Sequence, residues 1–169
     1  MKFLVEHLKN LRELYLNQLQ MLLSAEEQIA IASLNMIESA TDEELKGALQ
    51  LHKDETEQHV LRVEQILTDA TGSAKPIKCK AVQCLIAETE EMLLDARNEA
   101  VRDMAVIAAA QWIEHFEIAA FSTVRRFAQM LGETAAAATL AQTLDEEGNA
   151  DHLLTAIAER LNLDAKQAA

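Results

Sequence analysis

Helix-breaking residues are scarce in this chain, and that scarcity limits the folds it can adopt. The 169 residues include four glycines and one proline, and one strong breaker cluster, Thr-Gly-Ser-Ala-Lys-Pro, spans residues 71–76. Sheet proteins need frequent turns built from glycine, proline, asparagine and aspartate, whereas long helices need few. Alanine, leucine, glutamate and glutamine, which favour helix, are abundant elsewhere. The sequence therefore predicts an all-α fold.

Turn signals divide the chain into two long helical hairpins. The first hairpin is predicted over residues 1–70 and turns at residues 41–44, where Thr-Asp-Glu-Glu is typical of a capping box. The second is predicted over residues 99–163, with Gly132 as the C-terminal cap of its first helix. A chain of this length can bury a core of its own, so we expect a single domain over residues 1–169.

The connection between the hairpins is predicted to contain a shorter helix. Pro76 suits the first position of a helix over residues 76–97, and Asn98 and Asp103 mark a break or kink before the second hairpin. Two helical hairpins joined by one long crossover are the topology of a ferritin-like four-helix bundle. The sequence predicts such a bundle with an additional helix in the crossover.

The charge of the chain opposes several classes of partner. The formal net charge is -13 and the isoelectric point is near 4.7, which disfavours binding to nucleic acid or to anionic membranes. No apolar run approaches the ~20 residues that span a bilayer, and Glu6, His7 and Lys9 lie where a signal peptide is apolar. We therefore expect a cytoplasmic protein. Cys79 and Cys84 would project about 140° apart on a helix, so no local disulfide is expected.

Acidic residues and histidines interrupt the apolar stripes of the four long helices near their middles. In chain order these are Glu26 on the first helix, His52 and His59 on the second with Glu55 flanking them, Glu117 on the third, and Glu147 and Asp151 on the fourth. Glu26 and Glu55 are about equally far from the first turn, and Glu117 and Glu147 each lie 15 residues from Gly132. These separations correspond to roughly 20 Å along each helix, so each pair faces across its hairpin.

Four carboxylates at one level of an apolar interior require compensation. Each buried ion costs several kcal/mol unless it is paired, and the stripes offer no lysine or arginine at this level. Two divalent ions carry enough positive charge to offset the four glutamates, and His59 and Asp151 complete the ligand shells. We therefore expect a two-metal site. The alternative is a protonated or water-filled polar core.

Other polar residues near this level leave alternatives open. Glu114, three residues before Glu117, shares its side of the helix and is a candidate ligand, bridging carboxylate or surface residue. His52, His115 and His152 are expected to contact ligands or to lie on the surface. Glu146 is expected on the solvated face of the fourth helix.

A family resemblance covers nearly the whole chain. It is carried, in order, by Ser-Ala-Glu-Glu-Gln at 24–28, His-Lys-Asp-Glu-Thr at 52–56, residues 107–111 and 114–119, and Thr-Leu-Asp-Glu-Glu at 143–147 with Asp151. In these segments the sequence resembles the bacterial YciE/YciF family of ferritin-like stress-response proteins. The resemblance implies a bundle of the di-iron type, usually a homodimer, from proteins linked to general or osmotic stress whose biochemical activity is undefined.

The metal ligands depart from the broader di-iron pattern, which places a histidine three residues after a glutamate on two helices. Here His59 follows Glu55 by four residues, and Asp151 follows Glu147 by four. One imidazole is therefore expected in a site made mostly of oxygen. Iron is the first choice, and manganese, zinc or magnesium are alternatives.

Two functions fit such a site. The first is a protein that handles oxygen or peroxide at two metal ions, and the second is a non-enzymatic metal-binding or interaction protein with a structural polar core. Iron storage would need a closed cage that nothing in the sequence predicts, and hydrolysis would need a nucleophile or substrate clamp that is not apparent. Whether the protein is an enzyme stays open. Trp112 and several leucines remain after the inner stripes are filled, so we also expect a homodimer.

Overall fold

The computed structural model describes residues 8–168, with side chains as far as Asn162, and contains five helices and no strand in that range. The helices are α1 (Leu11–Ser39), α2 (Glu43–Thr71), α3 (Lys80–Asp95), α4 (Glu99–Leu131) and α5 (Thr134–Ala168). The predicted all-α class is confirmed. Residues 1–7 of the predicted first hairpin lie outside the described range.

Capping residues explain where several of the helices begin and end. The side chain of Asn10 accepts a hydrogen bond from the backbone N–H of Glu13 at the start of α1, and Asn98 accepts one from Val101 at the start of α4. Gly132 ends α4 with φ of 75°, a left-handed conformation that favours glycine. The prediction of Gly132 as a C-terminal cap is confirmed.

The turn between α1 and α2 differs in detail from the expected capping box. Asp42, not Thr41, caps α2 by accepting hydrogen bonds from the backbone N–H groups of Glu44 and Leu45. The backbone N–H and the hydroxyl of Thr41 instead donate to Asp103, each at 2.6 Å. Asp103 therefore lies buried within an uninterrupted α4, and it ties the start of that helix to the turn instead of marking a break.

The crossover helix begins later than its proline suggests. The structure starts α3 at Lys80 and leaves Pro76 in the preceding loop. The backbone N–H of Ile77 donates to the carbonyl of Gln20 at 3.0 Å, and that of Cys79 donates to the hydroxyl of Ser24 at 3.3 Å. These bonds hold the loop against α1. The helix therefore begins only after Cys79, the last residue of this contact.

The four long helices pack in a closed ring of neighbouring pairs, α1 on α2, α2 on α5, α5 on α4 and α4 on α1, and α3 lies against α1 and α4. Two clusters of buried apolar side chains fill this ring, one containing Ile29, Leu49, Ile113 and Leu154, the other Leu19, Val63, Phe121 and Leu140. On each long helix the change from one cluster to the other falls where the polar residues of the stripes lie. The fold therefore places those polar residues between two apolar layers.

The helices and the cysteines also bear on membrane insertion and disulfide formation. Among residues 8–168, no helix is both long enough and apolar enough to cross a membrane. Cys79 is buried and Cys84 is exposed, and both thiols are free.

Candidate metal centre

The structure brings six buried side chains from all four long helices into two groups that share one residue. His52, Glu114, Glu117 and Glu147 form the His52 group, and Glu26, His59 and Glu147 form the Glu26 group. Each residue offers one nitrogen or oxygen atom, and within a group these atoms all lie within 4.8 Å of one another. Five residues predicted as ligands therefore lie together, namely Glu26, His59, Glu114, Glu117 and Glu147.

Glu147 connects the two groups through its two carboxylate oxygens. Its Oε1 lies 2.9 Å from Nδ1 of His59 in the Glu26 group. Its Oε2 lies 3.8 Å from Nδ1 of His52 in the other group. A carboxylate with one oxygen directed toward each group can bind two ions at once.

The remaining separations are close to those expected around a small divalent ion. Nε2 of His52 lies 3.2 Å from Oε1 of Glu114 and 3.8 Å from Oε2 of Glu117, and Nδ1 of His59 lies 3.6 Å from Oε2 of Glu26. Two ligand atoms bound at right angles with bond lengths near ~2.1 Å are about 3 Å apart. The observed separations are somewhat longer than this, and His52 faces Glu114 and Glu117 with Nε2 but Glu147 with Nδ1, so its ring can use only one of these two nitrogens to bind an ion in the group.

Most of the inward-facing polar atoms of the centre are buried without a hydrogen-bond partner in the described part of the chain. Buried polar groups in native proteins are normally paired, because an unpaired one costs about 1–3 kcal/mol. Many such atoms in one place therefore indicate a missing partner that binds several lone pairs at once, as a metal ion does. They are both oxygens of Glu26, Glu117 and Glu147, Oε2 of Glu114, and Nδ1 of His52 and of His59.

The electrostatics of the metal-free centre are those of crowded acids in a poorly solvated interior. Burial raises the pKa of Glu26 from 4.5 to about 7 and that of Glu114 to about 10, and burial with the charge of Glu147 raises the pKa of Glu117 well above 4.5. Burial opposes the charged form of His59, but the carboxylates of Glu147 and Glu26 outweigh it and raise its pKa to about 10. Protons therefore replace part of the positive charge when no metal is bound.

The outer nitrogen of His59 is held by a network that the sequence did not reveal. Nε2 of His59 lies 2.9 Å from Oε2 of Glu146, and the guanidinium of Arg62 donates to both oxygens of Glu146. Arg62 also donates to Thr143 at 3.1 Å. Although burial opposes ionisation of Glu146, its hydrogen bond from Arg62 lowers its pKa to about 2. Glu146 is half-buried and holds the imidazole of His59 in place. The expectation that it lies on a solvated face is wrong.

Two predicted ligands lie at the edge of the centre and belong to neither group. Glu55 is half-buried, and burial followed by the charge of Glu146 raises its pKa. Three residues along a helix correspond to a rotation of 60° from His52, which turns Glu55 toward the flank of α2. Asp151 is half-buried too, with Oδ1 3.7 Å from Nε2 of the exposed His115. It lies one turn beyond Glu147.

Of the three histidines for which the sequence leaves two positions open, His52 is the one that joins the centre. His52 and His59 are seven residues apart, two helical turns, so they share one face of α2 and both are buried. That spacing was the available signal. The structure therefore places two imidazoles in the centre, whereas one was expected. His115 and His152 are exposed.

Comparisons with known proteins agree over nearly the full length of the chain. A family model described as a domain of unknown function, DUF892, matches residues 10–167. Protein YciF of Escherichia coli (strain K12) is 34% identical over 153 residues, which cover 90% of this chain and 92% of YciF.

Two solved structures share the helical arrangement. The crystal structure of the E. coli stress protein YciF matches with a TM-score of 0.87 and 34% identity, over 91% of this chain and 98% of that one. YcfI from Rhodopseudomonas palustris, for which a structural role has been suggested, matches with a TM-score of 0.87 and 31% identity, over 90% of this chain and 98% of its own. The similarity therefore includes all four helices that carry the centre.

Proposed function

This chain belongs to the DUF892 family, and from that premise we propose that it is a ferritin-like stress-response protein whose four-helix bundle binds two divalent metal ions. The assignment to stress response rests on the similarity to the stress protein YciF. We further propose that it acts in the cytoplasm as a homodimer and that the metal centre handles oxygen or peroxide.

One observation carries the metal proposal, namely that Glu147 directs one unpaired oxygen to each of two groups of buried ligands. A network of hydrogen bonds would pair these atoms with one another, and a protonated core would place a donor on some of them. In the metal-free protein the high pKa values of His59 and Glu114 keep both protonated near neutral pH, but the 2.9 Å contact between Nδ1 of His59 and Oε1 of Glu147 is not aligned as a hydrogen bond. Two cations would pair all of these atoms at once, and a shared carboxylate is the natural ligand between them.

The charges of the two groups are those that two divalent ions would balance without any bound proton. The groups contain four glutamates and two histidines. In the described part of the chain, the basic partners within 4 Å of these glutamates are His52 and His59. Two divalent ions would balance four carboxylates with both imidazoles neutral. A single ion would balance only two of the carboxylates, and protons held by groups such as Glu114 and His59 would have to neutralise the rest.

The chain supplies the rest of the chemistry by holding its ligands in place. Two redox-active ions, when bound, would exchange electrons with oxygen or peroxide. Glu146 accepts from Nε2 of His59 and so leaves Nδ1 free to face Glu26 and Glu147. Arg62 keeps Glu146 ionised and oriented. Carboxylate oxygen with two imidazoles suits iron, manganese or zinc, and iron is our first choice because it has the required redox chemistry.

A second candidate is a non-enzymatic protein whose polar core is structural. It is favoured by the structural role suggested for YcfI and by the high pKa values of Glu114 and His59, which let protons neutralise part of the centre. Protons on these two residues, however, leave both oxygens of Glu117 without a hydrogen-bond partner among the described residues. The two functions differ in whether metal binds tightly and whether bound iron reacts.

The decisive experiment has two steps. Protein purified without chelator is first analysed for metal content, and we expect two ions per chain, falling strongly in Glu147→Gln. Glu38→Gln, exposed on α1 away from the centre, is the matched control and should retain both. Fe(II) is then added without oxygen, followed by oxygen or peroxide, while a di-iron charge-transfer band and turnover are monitored. Binding without reaction would support the structural alternative, and absence of binding would end the metal proposal.

A further inference from the structure

A cavity of about 80 Å³ lies between α2 and α5 and reaches the proposed metal centre. His52 and Glu114 line its inner end, and both belong to the His52 group. Ala48 on α2 and Ala150 on α5 form opposing walls. Leu153, which is 37% exposed, lies at its outer end. The cavity therefore runs from the surface to one half of the centre.

The other half of the centre is closed off from this cavity. Neither Glu26 nor His59 lines it. The outer nitrogen of His59 is occupied by Glu146, and the ring of Phe121 packs edge-on against the imidazole, with centroids 5.8 Å apart. A molecule that enters between α2 and α5 therefore meets the His52 group first.

The walls select the kind of molecule that can enter. Most lining residues are alanines and leucines, which offer no side-chain hydrogen bonds and no charge to an entering molecule, and the exposed Asn149 adds an uncharged amide. Glu55, which lies outside both ligand groups, contributes a half-buried carboxyl to the wall and would oppose anions. The volume has room for a few water-sized molecules. At its inner end, Oε2 of Glu114 and Nδ1 of His52 are buried without hydrogen-bond partners among the described residues.

We propose that this cavity is the access path by which a small uncharged molecule, of about two to four non-hydrogen atoms, reaches the His52 side of the centre. The inference rests on the proposed function, because it assumes that the centre reacts with a molecule from solvent. It assigns a place to Glu55 on the path instead of among the ligands. It also makes the two halves of the centre unequal, since one faces incoming molecules and the other is enclosed.

Xenon, an uncharged apolar probe, tests the path without any metal. Metal-free crystals under xenon pressure should show xenon between Ala48 and Ala150. The variants Ala48→Leu and Ala150→Leu fill the cavity from opposite helices, and each should abolish this binding. Ala156→Leu, at an exposed position of α5 outside the cavity, is the matched control and should leave xenon bound. Absence of xenon in the unmodified protein would overturn the proposal.

Reaction rates test whether the cavity is the route to the centre. With iron content verified as unchanged, Ala150→Leu should slow the reaction of the Fe(II)-loaded protein with hydrogen peroxide at least tenfold, and Ala156→Leu should not. Leu153→Ala should widen the outer end and speed reaction with the bulkier tert-butyl hydroperoxide. Ala48→Leu provides an independent blocked variant if Ala150→Leu does not fold. Unchanged rates in the blocked variants would overturn the path and leave the metal site standing. Xenon binding in a chain that takes up no iron would instead count against the proposed function.

Discussion

Glu26 is the carboxyl of the centre whose charge changes near neutral pH, so replacing it by glutamine gives a quantitative test. Burial, the largest influence, raises its pKa from 4.5 to about 7 in the metal-free protein. Glutamine has nearly the same shape as a protonated glutamate and stays neutral at every pH. Glu26→Gln therefore reproduces the protonated state of this residue permanently.

The sign of the effect follows from proton linkage. Between pH 4.5 and 7 the folded protein binds a proton at Glu26 that the unfolded chain has released, so the free energy of unfolding falls as pH rises. Each pH unit costs about 1.4 kcal/mol, which gives a penalty of about 3 kcal/mol above pH 7 and none below 4.5. Glu26→Gln should remove this penalty. For a chain of this size the gain corresponds to a melting temperature about 6–12 °C higher at mildly alkaline pH.

With metal bound, the unmodified protein should have the higher melting temperature and Glu26→Gln the lower one. The ionised Glu26 is a proposed ligand, so excess Mn(II) should stabilise the unmodified protein and should stabilise Glu26→Gln much less. Melting temperatures of both proteins would be measured by calorimetry at about pH 4 and about pH 8, each with chelator and with Mn(II). The matched control is Glu38→Gln, exposed on the same helix, which should follow the unmodified protein in all four conditions. Equal destabilisation of metal-free Glu26→Gln at both pH values would refute the reasoning, because Glu26 would then be a structural acceptor.

Three further predictions address other parts of the centre and the surface. The double variant Glu117→Gln/Glu147→Gln should be at least as stable as the unmodified protein without metal but gain nothing from it, because buried charge is retained for function; severe destabilisation of the metal-free form in thermal melts would contradict this. Glu146→Gln should weaken metal binding about 10–100-fold in competition titrations by releasing His59, while Asp145→Asn at the exposed neighbouring position should not; equal affinities would exclude a positioning role. Trp112, which is 48% exposed, should be protected in a homodimer detected by light scattering at micromolar concentration, and a monomer there would disprove the dimer.

Much of the helical framework follows from local properties of the sequence. The sequence predicts Gly132 as a helix end and a break near Asn98, because side-chain capping and a positive φ depend on neighbouring residues alone. The helix start expected at Pro76 is wrong because hydrogen bonds from Ile77 and Cys79 hold the loop against α1, and those partners are more than 50 residues away in sequence. Local rules therefore predicted the helices better than the loop that joins them.

The sequence by itself determined that acids must meet in the interior, because Glu26, Glu117 and Glu147 interrupt apolar stripes and burial of their charges demands compensation. Only the tertiary structure decided which neighbours complete the centre. His52 and Glu55 differ by 60° around α2, and the rotation of that helix against α4 and α5 directs the histidine inward and leaves the glutamate in the wall of the cavity. Helical periodicity defines faces to within about one residue. The choice between adjacent positions on a face depends on how whole helices pack, which no local pattern encodes.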